Sequence, residues 1–176
     1  CITLKAGIED EVKDLWKACE DIAITNCIME KGHGGIVFGS ETTGGIRNVV
    51  VSNCIFRGTD RGIRLKTRRG RGGGIESIRV SNCLMESVLS PFTVNMFYGC
   101  GAWGNPVVSN KEALPVNSST PLIRDVHMTG ITARKVKLAA AFLYGLPEQP
   151  VQDVSLTDWF VEMDEKNEED REVEMA

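Results

Sequence analysis

The hexapeptide Val-Val-Val-Ser-Asn-Cys at residues 49–54 recurs along the chain and decides the fold. Close copies are Ile-Ala-Ile-Thr-Asn-Cys at residues 22–27 and Ile-Arg-Val-Ser-Asn-Cys at residues 78–83, and weaker copies occupy residues 126–131 and 154–159. The first three copies therefore follow one another at intervals of 27 and 29 residues. A repeat of about 20–30 residues that contains one alternating strand is typical of a β-solenoid.

Within each copy, alternate residues are β-branched or otherwise apolar, which suits a strand with one buried face. The copies lack the long apolar stripes of period about 3.6 that a helical solenoid needs. We therefore predict an all-β fold, a right-handed parallel β-helix. Asn26, Asn53 and Asn82 end their strands, and each is predicted to bond to neighbouring backbone and to stack on its equivalents.

Residues 1–163 are predicted to form one solenoid, with a loop insertion at about residues 99–122 where glycines and prolines break the period. This loop carries Trp103, which either offers a platform to a sugar ring or only pins the loop. Residues 9–20 place apolar side chains at helical spacing among charges, and form either a short surface helix or an ordered loop. Residues 164–176 are predicted to be a solvated acidic tail.

The composition bounds the class of protein. A hydrophobic fraction of 42% and a charged fraction of 25% are ordinary for a globular domain. The net charge of −4 argues against nucleic-acid binding, and no apolar run is long enough to suggest a membrane span. The cysteines lack paired zinc-ligand spacing, so we interpret them as free, largely buried thiols. Unpaired cysteines weakly favour a cytoplasmic location, and secretion stays open.

Basic residues are concentrated just after the second copy of the repeat. Arg64 and Lys66 are two residues apart, so on a strand they share a face, and a guanidinium beside an ammonium suits a carboxylate. The alternatives are a hydrated rim or an exposed basic edge strand that guards against aggregation. Asp60, the acid next to this cluster, is expected to pair with Arg61 or Arg64. The six cations are Arg61, Arg64, Lys66, Arg68, Arg69 and Arg71.

His33 lies among glycines in Gly-His-Gly-Gly at residues 32–35. Its imidazole has no bulky sequence neighbour to cover it. If each repeat is one turn of a coil, His33 lies one coil before Arg64 and Lys66, and the three side chains are predicted to converge on one patch. His127 lies inside a copy of the repeat and is interpreted as structural.

At these residues the sequence resembles glycoside hydrolase family 28, the polygalacturonases and related pectin hydrolases. The family's Gly-His-Gly motif is matched at residues 32–34, and its Arg-Ile-Lys motif is matched by Arg-Leu-Lys at residues 64–66. A tyrosine after the next coil's strand is matched by Tyr98. The resemblance implies a right-handed parallel β-helix that hydrolyses α-1,4-galacturonosyl linkages in pectin with inversion, without a metal or cofactor.

The resemblance also implies roles for individual residues. Arg64 and Lys66 would bind the galacturonate carboxylate, and Tyr98 would help to orient the sugar. His33 would act in catalysis by tuning an aspartate, and Glu41 is a candidate contact to a sugar hydroxyl. The expected partner is a galacturonate-containing polysaccharide or oligosaccharide, with no nucleic acid and no membrane.

One departure from the family bears on activity. Its three catalytic aspartates come from an Asn-Thr-Asp motif and an Asp-Asp pair, and neither motif occurs in this chain. Residues like those at 1–5 follow the Asp-Asp pair in the family, so we expect a C-terminal part of the hydrolase, truncated at its N terminus. Inversion requires an acid and a base about 6.5–9.5 Å apart, and we expect the chain alone to be inactive. An uncapped first coil would also favour self-association.

Two other functions stay open from the sequence alone. The basic strand could belong to a non-catalytic module that binds uronate polymers, or the chain could be a purely structural β-solenoid. A pectate lyase is disfavoured, because no cluster of acidic residues suited to calcium is visible in the coils.

Overall fold

The computed structural model of the chain describes residues 1–9 and 17–165. Its regular structure is almost entirely β-strand, in strands of 3 to 15 residues joined by tight corners or by loops. In chain order they are β1 (Ile2–Leu4), β2 (Cys19–Thr25), β3 (Ile28–Glu30), β4 (Ile36–Phe38), β5 (Ile46–Ser52), β6 (Ile55–Arg57), β7 (Arg61–Lys66), β8 (Gly74–Glu86), β9 (Ser90–Asn95), the helical turn α1 (Pro106–Ser109), β10 (Leu122–Val136), β11 (Phe142–Tyr144) and β12 (Gln152–Met163).

The strands form two parallel sheets that run along a coil. One sheet has the order β1-β4-β7-β9-β11, and the other has the order β12-β10-β8-β5-β2, with β3 and β6 extending it beside β8. Neighbours in a sheet come from successive turns of the chain, which is the connectivity of a solenoid. The predicted right-handed parallel β-helix is confirmed. No helix in residues 1–9 and 17–165 is long and apolar enough to cross a membrane.

The register of the second sheet follows the sequence repeat. Ile22 lies opposite Val49, Val49 opposite Ile78, and Ile78 opposite Val126, which in turn lies opposite Val154. Each copy of the hexapeptide is therefore one rung of the same ladder. The longer interval before the fourth copy contains β9 and the loop that carries α1.

The asparagines of the repeat turn the chain through a left-handed corner. Asn26, Asn53 and Asn82 have φ values of 57°, 55° and 50°, and Gly130 and Asp158 have φ values of 64° and 52° at the equivalent places. Asn, Asp and Gly tolerate this region best, which explains the residue types. The Asn82 Nδ2 atom donates to Asn53 Oδ1 over 2.7 Å, so the predicted stacking of amides is confirmed for this pair.

The inward faces of the rungs form a continuous apolar core. Val51, Val80 and Met128 lie in register and are at most 1% exposed, as are Ile63 and Phe92 in the other sheet. The cysteines follow this rule only in part. All six thiols are free, and Cys54 and Cys83 are buried while Cys19 and Cys27 are partly buried. Cys1 and Cys100 are exposed, so the interpretation as buried apolar residues is wrong for these two.

The segments outside the repeat differ in part from expectation. Cys19 and Glu20 open β2, so the helix or loop predicted for residues 9–20 is wrong at that end, and residues 10–16 lie outside the described part. Most of the predicted acidic tail, residues 166–176, also lies outside it. The inserted loop contains α1, which Asn105 caps by accepting a hydrogen bond from the Val107 N–H over 2.9 Å.

Within the described residues, strands β1, β2 and β3 each pair on one side only, and unpaired strand edges are templates for association. The expected self-association through this end stays a prediction.

The corner residues provide a test of the fold. Asn53→Val and Asn53→Gly both remove the acceptor of the Asn82 amide. Only valine, with its branched side chain, is strained by the positive φ at this position. We expect the valine variant to be less stable than the glycine variant by about 1–2 kcal/mol, measured by urea unfolding. A valine variant as stable as the glycine variant would contradict the role given to the corner.

Candidate active site

Strand β7 carries the basic motif in the middle of a sheet. It pairs with β4 on one side and β9 on the other, with Arg64 opposite Val37 and Thr93. Arg64 is only 2% exposed. The alternative interpretation of this segment as an exposed edge strand is therefore wrong.

Arg64 and Lys66 share a face of β7, as their spacing predicts, and both lie against Tyr98. The guanidinium carbon of Arg64 is 5.4 Å from the centre of the Tyr98 ring, and the Lys66 Nζ atom is 4.4 Å from it. The Lys66 ammonium also donates to the Tyr98 hydroxyl over 3.4 Å. Two cations against one aromatic ring form a compact positive patch.

The patch is electrostatically costly in the absence of an anion. Burial lowers the pKa of Lys66 to about 8, and repulsion from Arg64 and Lys5 adds to the shift. Burial also lowers the pKa of Arg64, with repulsion from Arg61 as the next cause. Among the described residues no carboxylate forms an ion pair with Lys66. An incoming carboxylate would offset this cost.

His33 pairs with Asp60. Its Nδ1 atom lies 2.8 Å from Asp60 Oδ2, with side chains 69% and 42% exposed. The same carboxylate lies 3.8 Å from Arg61 Nη1, so the expected pairing of Asp60 with Arg61 is confirmed. The His33 partner was missed, although the 27-residue interval between these residues equals one repeat.

The glycines after His33 let its segment lie close to its neighbours. A Cβ atom on Gly34 would lie 2.5 Å from Val37 Cγ2 and 4.0 Å from Arg64 Cδ, and one on Gly35 would lie 2.2 Å from the Phe56 ring. Any side chain at Gly35 would therefore push this segment away. The lack of side chains at these glycines lets the His33 segment lie close to the Cδ atom of Arg64, which belongs to the next coil.

Glu41 lies near Lys66 and pairs with Lys5. Lys5 Nζ contacts Glu41 Oε1, and the Glu41 side chain is 34% exposed. The Glu41 carboxylate acts electrostatically on Lys66 from beyond ion-pair distance. Lys5 is a neighbour of the patch that sequence reasoning missed, since it lies 36 residues before Glu41 in the chain.

The other arginines of the basic cluster have structural partners. Arg68 Nη2 and Arg71 Nη1 both bind the Glu9 carboxylate, at 2.7 and 2.5 Å. Arg69 binds both carboxylate oxygens of Glu148, at 2.6 and 2.9 Å. All three arginines are buried, so a hydrated rim is wrong for them, and their guanidinium groups bind acids of the same chain.

Arg69 also fixes the inserted loop. Its guanidinium donates to the carbonyl oxygens of Val107, Asn110 and Glu112. The side chains of Arg69 and Glu148 are 5% and 4% exposed. We refer to Arg69, Glu148 and these three carbonyl groups as the loop clamp.

Within residues 1–9 and 17–165, no three His, Cys, Asp or Glu side chains cluster so as to hold a metal ion.

Comparison with known proteins identifies the family. The sequence model of glycosyl hydrolases family 28 matches residues 1–174. The chain belongs to glycosyl hydrolase family 28. A protein of Vitis vinifera named as a probable polygalacturonase is 24% identical over 158 residues, which cover 89% of this chain and 30% of that protein. A polygalacturonase of Ralstonia solanacearum is 29% identical over 116 residues, covering 64% of this chain and 20% of that protein.

A solved structure agrees with the family 28 assignment. The crystal structure of a hyperthermoactive exopolygalacturonase from Thermotoga maritima matches with a TM-score of 0.65 and 27% identity, over 80% of this chain and 29% of that chain. The resemblance drawn from residues 32–34 and 64–66 is thus confirmed at the level of the family. The chain spans less than a third of the length of these relatives.

The loop clamp gives a testable stability difference within this family 28 chain. Glu148→Ala leaves the buried Arg69 guanidinium without its carboxylate, and we expect a loss of about 3–5 kcal/mol in urea unfolding. Glu76→Ala breaks the exposed pair with Arg124 and should cost less than about 1 kcal/mol. Equal costs for the two variants would contradict a stabilising clamp.

The clamp should also weaken in acid. Hydrogen bonds from Arg69 lower the pKa of Glu148, so its contribution is present above the unfolded pKa and is lost as the pH falls through the lowered value.

Proposed function

We propose that Arg64, Lys66 and Tyr98 bind the carboxylate and ring of a galacturonosyl unit. The activity that we propose for the whole protein is that of a glycoside hydrolase, which cleaves α-1,4-galacturonosyl linkages in pectin by inversion. The observation that carries the proposal is the pair of desolvated cations against the Tyr98 ring, of which Lys66 has no carboxylate partner in the described residues. Family membership supports the choice of a pectic substrate.

The chemistry of the patch favours a sugar acid over a neutral sugar. A carboxylate can accept from the planar fork of Arg64 and from the ammonium of Lys66, and charge-assisted bonds of this type are the strong ones. A neutral hydroxyl would leave the repulsion between the two cations in place. The Tyr98 ring adds an apolar surface beside the charges.

His33 is proposed to act on the same substrate from the preceding coil. In the tautomer whose Nδ1–H donates a hydrogen bond to Asp60 Oδ2, the Nε2 atom of the imidazole is a hydrogen-bond acceptor. That nitrogen could accept from a sugar hydroxyl or from a catalytic carboxylic acid. Glu41, held by Lys5, is proposed as a contact to a sugar hydroxyl at the edge of the patch.

Binding and turnover should separate in this chain. Because neither family aspartate motif is present, we expect the 176-residue chain to bind galacturonate oligomers without hydrolysing them. Reducing ends released from polygalacturonate should not exceed those of a heat-denatured control. Sustained release by the purified chain would show that acids elsewhere in the chain perform the reaction.

Binding should depend on pH through Lys66. Its pKa of about 8 means that the ammonium is present below this pH and is lost above it, whereas the substrate carboxylate stays ionised throughout. We expect the affinity for trigalacturonate, measured by calorimetry, to fall as the pH rises from 6 to about 9.5. Lys66→Arg should remove this decline, because guanidinium keeps its charge.

Removal of the Lys66 charge tests its contribution to trigalacturonate binding directly. Lys66→Ala should weaken binding at pH 6 by about tenfold or more, the value of a charge-assisted hydrogen bond. Lys135→Ala, which removes a lysine paired with Glu86 on the other sheet, is the matched control and should bind as the parent does. A parent chain that binds no galacturonate would instead support the purely structural solenoid.

A further inference from the structure

Trp103 is exposed to an unusual degree for its type. Its side chain is 71% accessible, although large aromatic residues are normally buried for most of their surface. It lies in two successive turns, closed by bonds from Ala102 N–H to Gly99 O over 2.8 Å and from Asn105 N–H to Ala102 O over 3.0 Å. Hydrogen bonds therefore fix the backbone around Trp103, while its indole is exposed to solvent.

The indole lies next to the backbone at Gly99. A Cβ atom on Gly99 would lie 3.1 Å from Trp103 Cζ3 and 3.2 Å from Cε3. This part of the six-membered ring is therefore close to Gly99, and the high exposure means that much of the remaining surface faces solvent. Sugar-binding aromatic residues offer an accessible ring surface, against which the C–H groups of a pyranose pack.

The alternative role as a loop anchor is not supported by the contacts. The loop clamp already holds the segment through Val107, Asn110 and Glu112. Val108 supplies the buried apolar contact, at 4% exposure. A side chain that is 71% exposed adds little burial to these contacts.

The indole is close to the backbone of Tyr98, whose ring belongs to the positive patch. Gly99 directly follows Tyr98, and the Lys66 ammonium lies 4.4 Å from the centre of the Tyr98 ring. Consecutive Cα atoms are 3.8 Å apart, so the contact with Gly99 places the edge of the indole within about 9 Å of the Tyr98 Cα atom. This separation fits a neighbouring unit of the same oligosaccharide.

We propose that Trp103 forms a stacking subsite for the sugar adjacent to the galacturonosyl unit bound by Arg64 and Lys66. The proposal rests on the proposed function and adds a length requirement to it. A single galacturonate would occupy only the charged patch, whereas an oligomer of two or more units would also cover the indole. Trp103 thereby sets how much affinity each added unit contributes.

The test compares ligand lengths in the full chain. Calorimetry with galacturonate and with trigalacturonate would be carried out on the parent chain and on Trp103→Ala. We expect the variant to lose about five- to tenfold in affinity for trigalacturonate and to bind the monomer unchanged. Trp103→Phe should keep most of the affinity for the trimer, and Val107→Ala, an exposed apolar residue of the same loop, should bind both ligands as the parent does.

The outcomes separate the two proposals. If the parent binds both ligands and Trp103→Ala binds trigalacturonate equally well, the stacking subsite is overturned while the proposed function stands. If the parent binds neither ligand, both are overturned. Urea unfolding of Trp103→Ala should match the parent, and a clear loss of stability that Trp103→Phe restores, with unchanged trimer affinity in the folded protein, would establish an anchor in place of a subsite.

Discussion

A left-handed corner, repeated at the same place in every coil, is the constraint on which the rest of the structure depends. Asn26, Asn53 and Asn82 adopt it, and Gly130 and Asp158 continue it. Because each corner occupies the same place in its own rung, the flanking strands stay in register from one coil to the next. That register in turn determines which side chains of distant segments become neighbours.

The candidate site follows from this register and from the way charge is distributed over it. One repeat interval places His33 beside Asp60, and the pairing of β7 with β9 brings the basic strand towards Tyr98. Of the basic cluster, Arg68, Arg69 and Arg71 are held by acids of other segments. Burial lowers the pKa of Lys66, and no carboxylate forms an ion pair with it among the described residues, which supports its proposed role in binding.

The sequence predicts the coil well because its signals are local and repeated. The alternation in residues 49–54 predicts a strand, and the recurrence of that stretch predicts the stacking. The partners of Arg69 could not be predicted, since Glu148 lies 79 residues away and the three carbonyl groups belong to a loop without a period. The burial of the arginines could not be predicted either, because a run of basic residues does not show whether its side chains face water or acidic residues inside the protein.

The loop clamp has a consequence for the order of folding. Coils stack through contacts about one repeat apart in sequence, which close small loops and form early. The bond from Arg69 to Glu148 spans 79 residues and joins segments on either side of the inserted loop. We expect the clamp to close only after the intervening coils have stacked, so that the segment bearing the indole is among the last parts of the molecule to take its final shape.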